Sequence, residues 1–182
     1  MRKRVRNTWS TGRVEGWTGT LQHSSTRRPT DAKRSEFPIA DFRAILERYS
    51  SVATVGASAD TEKPSGSVPR HLKAIGFRVI PVNPNGAEIL GVRALGSLLD
   101  VDEAVDIVQV FRPSDEAPAI ARQAVEVGAK VLWLQLGIAS EEARRIAQDA
   151  GIDYVEDRCM AQETRRLGIR KNSTPTKTDR AS

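Results

Sequence analysis

Short apolar segments alternate with amphipathic helical stripes along most of this chain, and this alternation constrains the fold more than any other feature. Five segments are nearly continuous in apolar residues, as parallel strands covered on both faces must be; they are residues 52–55, 77–82, 106–111, 131–136 and 152–155. Strands separated by helices at this spacing predict an α/β fold with a doubly wound parallel sheet. We expect the strand order 3-2-1-4-5.

The intervening segments repeat their apolar residues every three or four positions, which is typical of helices packed on a sheet. Pro38 suits the first turn of an opening helix that carries apolar residues from Ile39 to Tyr49. Ser140 is the expected N-cap of a later helix that Gly151 ends. One residue conflicts with the expected strand order, because Pro81 lies in the second strand, which that order places inside the sheet. We interpret Pro81 as the exit from that strand.

The positive charge of the chain is concentrated at its two ends. Residues 1–36 contain nine basic and three acidic residues, and residues 170–182 contain four and one, whereas residues 37–169 contain 15 and 19. Both ends are polar and lack periodicity, which predicts a disordered basic tail over 1–36, a single Rossmann-like domain over 37–169 and a disordered tail over 170–182. Trp9 and Trp17 are candidate contacts for a protein partner. Because the predicted domain is mildly acidic, nucleic acid is an unfavoured partner.

The composition also indicates the cellular compartment of the protein. The single cysteine excludes an intramolecular disulfide, and no apolar run approaches the roughly 18 residues that span a bilayer. The basic start is not followed by the apolar core of a secretory signal. We therefore expect a cytoplasmic protein with no membrane association.

The first strand is followed by a loop whose residue types suit an anion. In an open parallel sheet the ligand binds outside the carboxyl ends of the strands. Here Gly56, Ala57 and Ser58 follow the first strand and lead through Lys63 to Ser65 and Gly66 at the start of a helix. Backbone amides and the positive end of the helix dipole would hold a phosphate, with Lys63 and Ser65 as further contacts. The alternative is that these residues only shape a turn and cap a helix.

Missing motifs narrow the ligand further. The chain has neither G-x-G-x-x-G nor a P-loop. The second strand ends in Asn83 and Pro84, where an NAD site has an acidic residue for the ribose hydroxyls. An uncharged Asn83 tolerates an anion, which favours a nucleotide with a phosphate on its ribose over NAD.

These residues belong to a longer pattern that resembles the small stand-alone CoA-binding proteins, which are related to the N-terminal domain of the succinyl-CoA synthetase α subunit. The resemblance covers about residues 38–168 in unbroken order. It is carried by Val55-Gly56-Ala57-Ser58, Lys63-Pro64-Ser65, Val79-Ile80-Pro81-Val82-Asn83-Pro84, Glu88-Ile89-Leu90-Gly91, Val105-Asp106-Ile107-Val108, Val110-Phe111-Arg112, Gly128-Ala129-Lys130, Trp133-Leu134-Gln135-Leu136-Gly137-Ile138 and Asp157-Arg158-Cys159-Met160.

The resemblance implies a Rossmann-like domain that holds coenzyme A or an acyl-CoA. It implies a CoA diphosphate near Gly56, Ala57, Ser58 and the Lys63 loop, and an adenosine near Asn83 and Pro84. By position, Phe111 and Arg112 would line the crevice, and Gly137 lies at the corresponding end of the fourth strand. Core packing of Phe111 and simple exposure of Arg112 are the alternatives.

No catalytic constellation is visible in the sequence. His23 lies in the predicted tail, and His71 lies on a helix, where a structural role is favoured. No pair of carboxylates or metal-ligand cluster forms a motif, so we predict no catalytic residue and no metal. Cys159 is expected to be a small buried residue, with a mixed disulfide to CoA as the alternative.

The sequence therefore predicts a non-catalytic CoA or acyl-CoA binding module that acts as a carrier, sensor or accessory subunit. One alternative is an NAD(P)-binding regulatory or redox-sensing domain of the same fold. Another is an interaction protein whose tails bind nucleic acid.

Overall fold

The structure is a computed structural model that describes residues 41–171. The predicted tails, and with them Pro38 and Ile39, fall mainly outside this range. In chain order the elements are α1 (Phe42–Arg48), β1 (Ser51–Val55), α2 (Pro64–Ala74), β2 (Arg78–Val82), β3 (Glu88–Ile89), β4 (Val92–Arg93), a 3-10 turn (Leu98–Asp100), β5 (Ile107–Val110), α3 (Ala117–Glu126), β6 (Val131–Leu134), α4 (Glu141–Asp149), β7 (Asp153–Val155) and α5 (Met160–Leu167).

Five parallel strands form the central sheet in the order β2-β1-β5-β6-β7. The predicted α/β fold with a doubly wound parallel sheet is confirmed. The predicted order 3-2-1-4-5 is wrong, because β5, the third long strand, pairs with β1 on the side opposite to β2. Counted over the long strands, the order is 2-1-3-4-5.

Pro81 explains why the sheet stops at β2. Proline has no N–H to donate, so it is found at edges of sheets and not inside them. Within residues 41–171 the outer side of β2 has a single isolated bridge, to Leu95, whose amide donates to the Pro81 carbonyl at 3.0 Å. The conflict noted from the sequence therefore disappears once β2 is an edge strand.

The sheet buries different side chains on its two faces because successive strand residues point in opposite directions. One face packs Val52, Ile107, Val131 and Trp133 against residues of α1, α2 and α5. The other packs Ala53, Val108, Leu132 and Leu134 against α3 and α4. Helices cover both faces, which accounts for strands with almost no polar residues.

The segment between β2 and β5 holds a hairpin that the sequence analysis did not predict. Strands β3 and β4 pair antiparallel and contain two residues each. Their turn places Leu90 and Gly91 at φ values of 59° and 81°. A small cluster of Ala57, Ile89 and Ala94 anchors the hairpin to the loop that follows β1.

Helix capping agrees with the sequence at α4 but not at α1, which begins at Phe42 with Asp41 as its N-cap, whereas the sequence predicted Pro38 in its first turn. The Ser140 hydroxyl accepts a hydrogen bond from the Ala143 amide at 3.2 Å, which confirms its predicted role as N-cap of α4. Asp41 caps α1 by accepting from the amides of Arg43 and Ala44. None of the helices in residues 41–171 is long and apolar enough to cross a membrane.

Asp106 joins β1 to β5 at the amino-terminal edge of the sheet. Its carboxylate accepts from the Ser50 amide, the Ser51 amide and the Ser51 hydroxyl at 2.9–3.0 Å. Burial alone would raise the pKa of Asp106. The three hydrogen bonds and the charge of Lys130 outweigh burial and leave the pKa below its ordinary value of 3.8.

We predict that Asp106→Asn lowers the free energy of unfolding by about 1–3 kcal/mol at pH 7, because the amide replaces a charged acceptor. A lowered pKa in the folded state means that the stabilisation is present above the pKa of the unfolded chain and is lost as the pH falls through the folded-state pKa. The difference in the free energy of unfolding between wild type and variant should therefore decrease below about pH 4. Urea titrations between pH 3 and 7 would measure it, and an equal gap at every pH would contradict the prediction. Asp102→Asn is the control, because Asp102 is exposed.

Candidate functional site

The candidate site lies at the carboxyl edge of the sheet, where the chain leaves neighbouring strands for opposite faces. The loop after β1 leads to α2 on one face, whereas the loop after β5 leads to α3 on the other. Between two such strands the loops separate and leave a crevice, which is where open α/β sheets bind ligands. The crevice here lies between Val55 and Val110.

Gly56, Arg112 and the backbone of Phe111 meet at this crevice, whereas the Phe111 side chain packs against the apolar cluster beneath α1, α2 and α5, as the core-packing alternative predicted. The Phe111 amide donates to the Val55 carbonyl at 2.9 Å. A Cβ on Gly56 would lie 3.0 Å from Cδ of Arg112 and 3.3 Å from the carbonyl carbon of Phe111. Gly56 also has a φ of +84°, which favours glycine. Glycine therefore allows the Arg112 side chain to cross directly over the end of β1.

A proline inside α2 fixes the loop of residues 56–63, called the first loop below. Pro69 has no N–H, so the Ser65 carbonyl lacks its ordinary helical donor four residues later. The Ser58 amide donates to that carbonyl instead, at 3.0 Å. The first loop is thereby attached to the first turn of α2.

Gly66 makes this attachment sterically possible. A Cβ at Gly66 would overlap the Asp60 carbonyl oxygen and lie 2.8 Å from its carbonyl carbon and 3.0 Å from the Ser58 carbonyl oxygen. All three are backbone atoms, which cannot move away as a flexible side chain can. Gly66 thus allows contact between the loop and the helix.

The amides that begin the first loop are already paired. Those of Gly56 and Ala57 donate to the Val82 carbonyl at 3.0 and 3.3 Å, and that of Ser58 is used as described above. The amides of Ala59 and Ser65 have no acceptor within residues 41–171. The backbone donors available to a ligand are therefore not at Gly56 but further along the first loop, at Ala59, and at the start of α2, at Ser65.

Asn83 links the end of β2 to the first loop. Its Nδ2 donates to the Ala57 carbonyl at 2.8 Å, and its Oδ1 accepts from the Asn85 amide at 2.9 Å. Pro84 is exposed beside it in the turn. The pair begins a turn in which the Gly86 amide donates to the Asn83 carbonyl at 3.0 Å, and the Asn83 side chain also positions the first loop.

Both cations predicted for the site have a carboxylate partner. Nζ of Lys63 lies 3.4 Å from Oδ2 of Asp60, and both side chains are largely exposed. Arg112 forms a two-bond ion pair with Glu116 at 2.7 and 2.8 Å. The hydrogen bonds to Glu116 raise the pKa of Arg112, and those from Arg112 lower the pKa of Glu116. The guanidinium is held in one orientation beside the crevice.

Ala57 and Gly137, which were also predicted for the site, offer no unpaired amide to a ligand. Ala57 is fully buried against the hairpin, so its side chain packs in the core. Gly137 lies in the exposed loop after β6, and its amide donates to Oδ1 of Asp157 at 2.7 Å. This loop is joined to the one after β5 by the Ala139 amide, which donates to the Ser114 hydroxyl at 3.2 Å.

His71 is hydrogen-bonded to a residue of α5, and Cys159 packs beside apolar side chains. Nε2 of His71 lies 3.1 Å from the Thr164 hydroxyl, which itself donates to the Ala161 carbonyl. Burial, followed by the charges of Arg165 and Arg170, lowers the pKa of His71. Cys159 precedes α5 and packs beside one apolar cluster. Within residues 41–171 no three His, Cys, Asp or Glu residues group as a metal site would require.

Comparison with known proteins identifies the class of protein to which this chain belongs. The model of the CoA binding domain family matches residues 50–165, and the chain belongs to this family. It is 37% identical to the uncharacterized protein YneT of Bacillus subtilis over 121 residues, which are 66% of this chain and 90% of that protein. A hypothetical protein from Pyrococcus horikoshii superimposes with a TM-score of 0.70 and 36% identity, covering 74% of this chain and 94% of that one.

A larger enzyme shares the same domain. The chain is 30% identical over 142 residues to acetate–CoA ligase [ADP-forming] II of Archaeoglobus fulgidus. The match covers 77% of this chain and 20% of the ligase. The similarity therefore lies in one domain of that enzyme, whereas relatives such as YneT are matched over nearly their whole length.

Proposed function

We propose that the protein binds coenzyme A or an acyl-CoA without transforming it, as a carrier, sensor or accessory subunit. Two findings support the ligand class: the family match and a crevice bordered by loop amides, hydroxyls and cations. The non-catalytic role is supported by relatives that consist of little more than this domain. The observation that carries the proposal is the attachment of the first loop to α2, since it holds the phosphate donors in place before a ligand arrives.

In this proposal the CoA diphosphate lies against the start of α2. The free Ser65 amide, the Ser58 and Ser65 hydroxyls and the Lys63 ammonium are its donors, with Arg112 approaching over Gly56. The uncharged Asn83 leaves the neighbouring edge of the site without a repelling carboxylate. The adenosine would pass the end of β2, and the pantetheine arm would cross the crevice beside Phe111.

Calorimetric titration of the full-length protein tests the ligand class. We expect CoA and acetyl-CoA to bind, and NAD and NADP to bind far more weakly. If NAD or NADP binds and CoA does not, the protein is instead a nicotinamide-dinucleotide domain of the same fold. Binding of CoA together with slow hydrolysis or transfer of an acyl group would contradict the non-catalytic role.

We predict opposite effects from the two members of the Lys63–Asp60 pair. Lys63→Ala should weaken CoA binding by about fivefold to tenfold, because an exposed charge-assisted contact contributes roughly 1 kcal/mol. Asp60→Asn should strengthen it, because it frees the ammonium while the amide oxygen can still accept from the Glu62 amide. Lys130→Ala is the matched control, since Lys130 lies at the opposite edge of the sheet. Weakening by Asp60→Asn would argue against a phosphate at Lys63.

A further inference from the structure

A groove separate from the Gly56–Arg112 crossing lies between α2 and the β3–β4 hairpin. Its volume is about 480 Å³. It is lined by Ser58 from the first loop, by Arg70 and Lys73 from α2, and by Glu88 and Leu90 from the hairpin. We call it the cationic groove. The sequence analysis named neither of its basic residues, although their spacing of three places them on one face of a helix.

The two cations of this groove differ from Lys63 and Arg112 in having no carboxylate partner. Nζ of Lys73 donates to the Leu90 carbonyl at 2.8 Å, a neutral acceptor that leaves its charge uncompensated. Arg70 has no hydrogen bond or ion pair within the described residues. Glu88 lines the same groove but lies in no ion pair with either cation. Two like charges three residues apart on a helix repel each other, and a bound anion would remove that cost.

The groove adjoins the place where the diphosphate is proposed to bind. Ser58 lines the groove, and its amide donates to the Ser65 carbonyl at 3.0 Å, in the first turn of α2. Both regions therefore share one rigid loop–helix contact. A ligand that carries a second anionic group a short distance from its diphosphate would occupy the diphosphate site and the groove at the same time.

We propose that the cationic groove binds the ribose 3′-phosphate of CoA, with Arg70 and Lys73 as its contacts. This inference rests on the proposed CoA binding and adds the feature by which the protein distinguishes CoA from nucleotides without that phosphate. A phosphate monoester carries a charge of roughly −1.5 to −2 at pH 7, so two cations without a carboxylate partner suit it. Glu88 reduces the positive charge of the groove and weakens the contact.

The test compares CoA with 3′-dephospho-CoA on the full-length protein by calorimetry. We expect the wild type to prefer CoA. Arg70→Gln combined with Lys73→Gln should lower CoA affinity about tenfold or more and leave 3′-dephospho-CoA affinity unchanged, so that the preference disappears. Glu88→Gln should strengthen CoA binding alone. Arg122→Gln combined with Arg145→Gln is the charge-matched control, because it removes two charges from exposed positions on α3 and α4, across the sheet.

The single variant Arg70→Gln tests the groove without removing a hydrogen bond that holds the hairpin. Lys73 also holds the Leu90 carbonyl, so its loss could shift the hairpin, whereas Arg70 has no hydrogen bond or ion pair within residues 41–171 to lose. We expect the single variant to reduce the preference for CoA severalfold with an unchanged circular dichroism spectrum.

Two results would overturn the inference while CoA binding stands. One is equal affinity of the wild type for CoA and 3′-dephospho-CoA, and the other is a double variant that keeps the wild-type preference. If the double variant loses both ligands equally, the two cations serve the diphosphate, and the inference is likewise wrong. If the wild type binds neither ligand, the proposed function fails as well.

Discussion

Replacing Gly66 with alanine should destabilise the protein by about 1–3 kcal/mol and weaken CoA binding by more than tenfold. Alanine is favoured over glycine inside a helix by about 1 kcal/mol, so propensity alone predicts a stabilisation. The new methyl group would overlap the Asp60 carbonyl, and no side-chain rotation can relieve contact with backbone atoms. The first loop must move away from α2, which separates the proposed phosphate donors.

Gly96 provides a matched control for this substitution. A Cβ there would meet only the Asp100 side chain, at 3.4 Å, and its φ lies outside the left-handed region. Gly96→Ala should therefore leave stability and CoA affinity nearly unchanged. Urea unfolding and calorimetry on both variants measure the difference. A Gly66→Ala protein as stable as wild type, with native CoA affinity, would show that the contact between loop and helix is not required.

The largest loss of stability is expected from Trp133→Ala, at about 3–5 kcal/mol. Trp133 is fully buried in the middle of β6, and its ring centroid lies 5.8 Å from that of Phe42. Its Nε1 donates to the Arg158 carbonyl at 2.7 Å, just before α5 begins. The substitution therefore leaves a cavity and also a carbonyl without its donor.

Trp133→Phe separates these two contributions. It retains most of the apolar volume but removes the donor, so we expect a loss of about 1–3 kcal/mol. Leu136→Ala is the control, because Leu136 is 61% exposed and its truncation should change stability by less than about 0.5 kcal/mol. Denaturation followed by far-ultraviolet circular dichroism gives all three values. A Trp133→Ala protein within about 1 kcal/mol of wild type would contradict this account.

The strand order shows how a local signal can be overlooked. Pro81 was the one residue that conflicted with an interior position for the second strand, and the structure places that strand at the edge. Treating the proline as decisive would have led to the order 2-1-3-4-5. The hairpin was harder to predict, since β3 and β4 contain two residues each and show no alternation over a useful length.

The site was predicted in part. Sequence placed Gly56, Phe111 and Arg112 at strand ends, and the structure brings them together. The loop–helix attachment had a signal in the sequence, because Pro69 inside a helical stripe leaves the Ser65 carbonyl for another donor. The Arg112–Glu116 pair also has a spacing that sequence reasoning could have recognised.

The sequence by itself determined the kind of sheet, the helices that cover it and the family to which the chain belongs. These follow from the period of apolar residues and from short motifs, which depend on neighbours in the chain. Only the tertiary structure decided which strand lies at the edge, that Ser58 bonds to Ser65, that Asn83 holds the first loop and that Arg70 and Lys73 face the hairpin. Except for Ser58 and Ser65, which are close in sequence, these relations join separate elements, so each depends on which elements folding brings side by side. The Ser58–Ser65 bond forms because Pro69 leaves the Ser65 carbonyl without its ordinary helical donor.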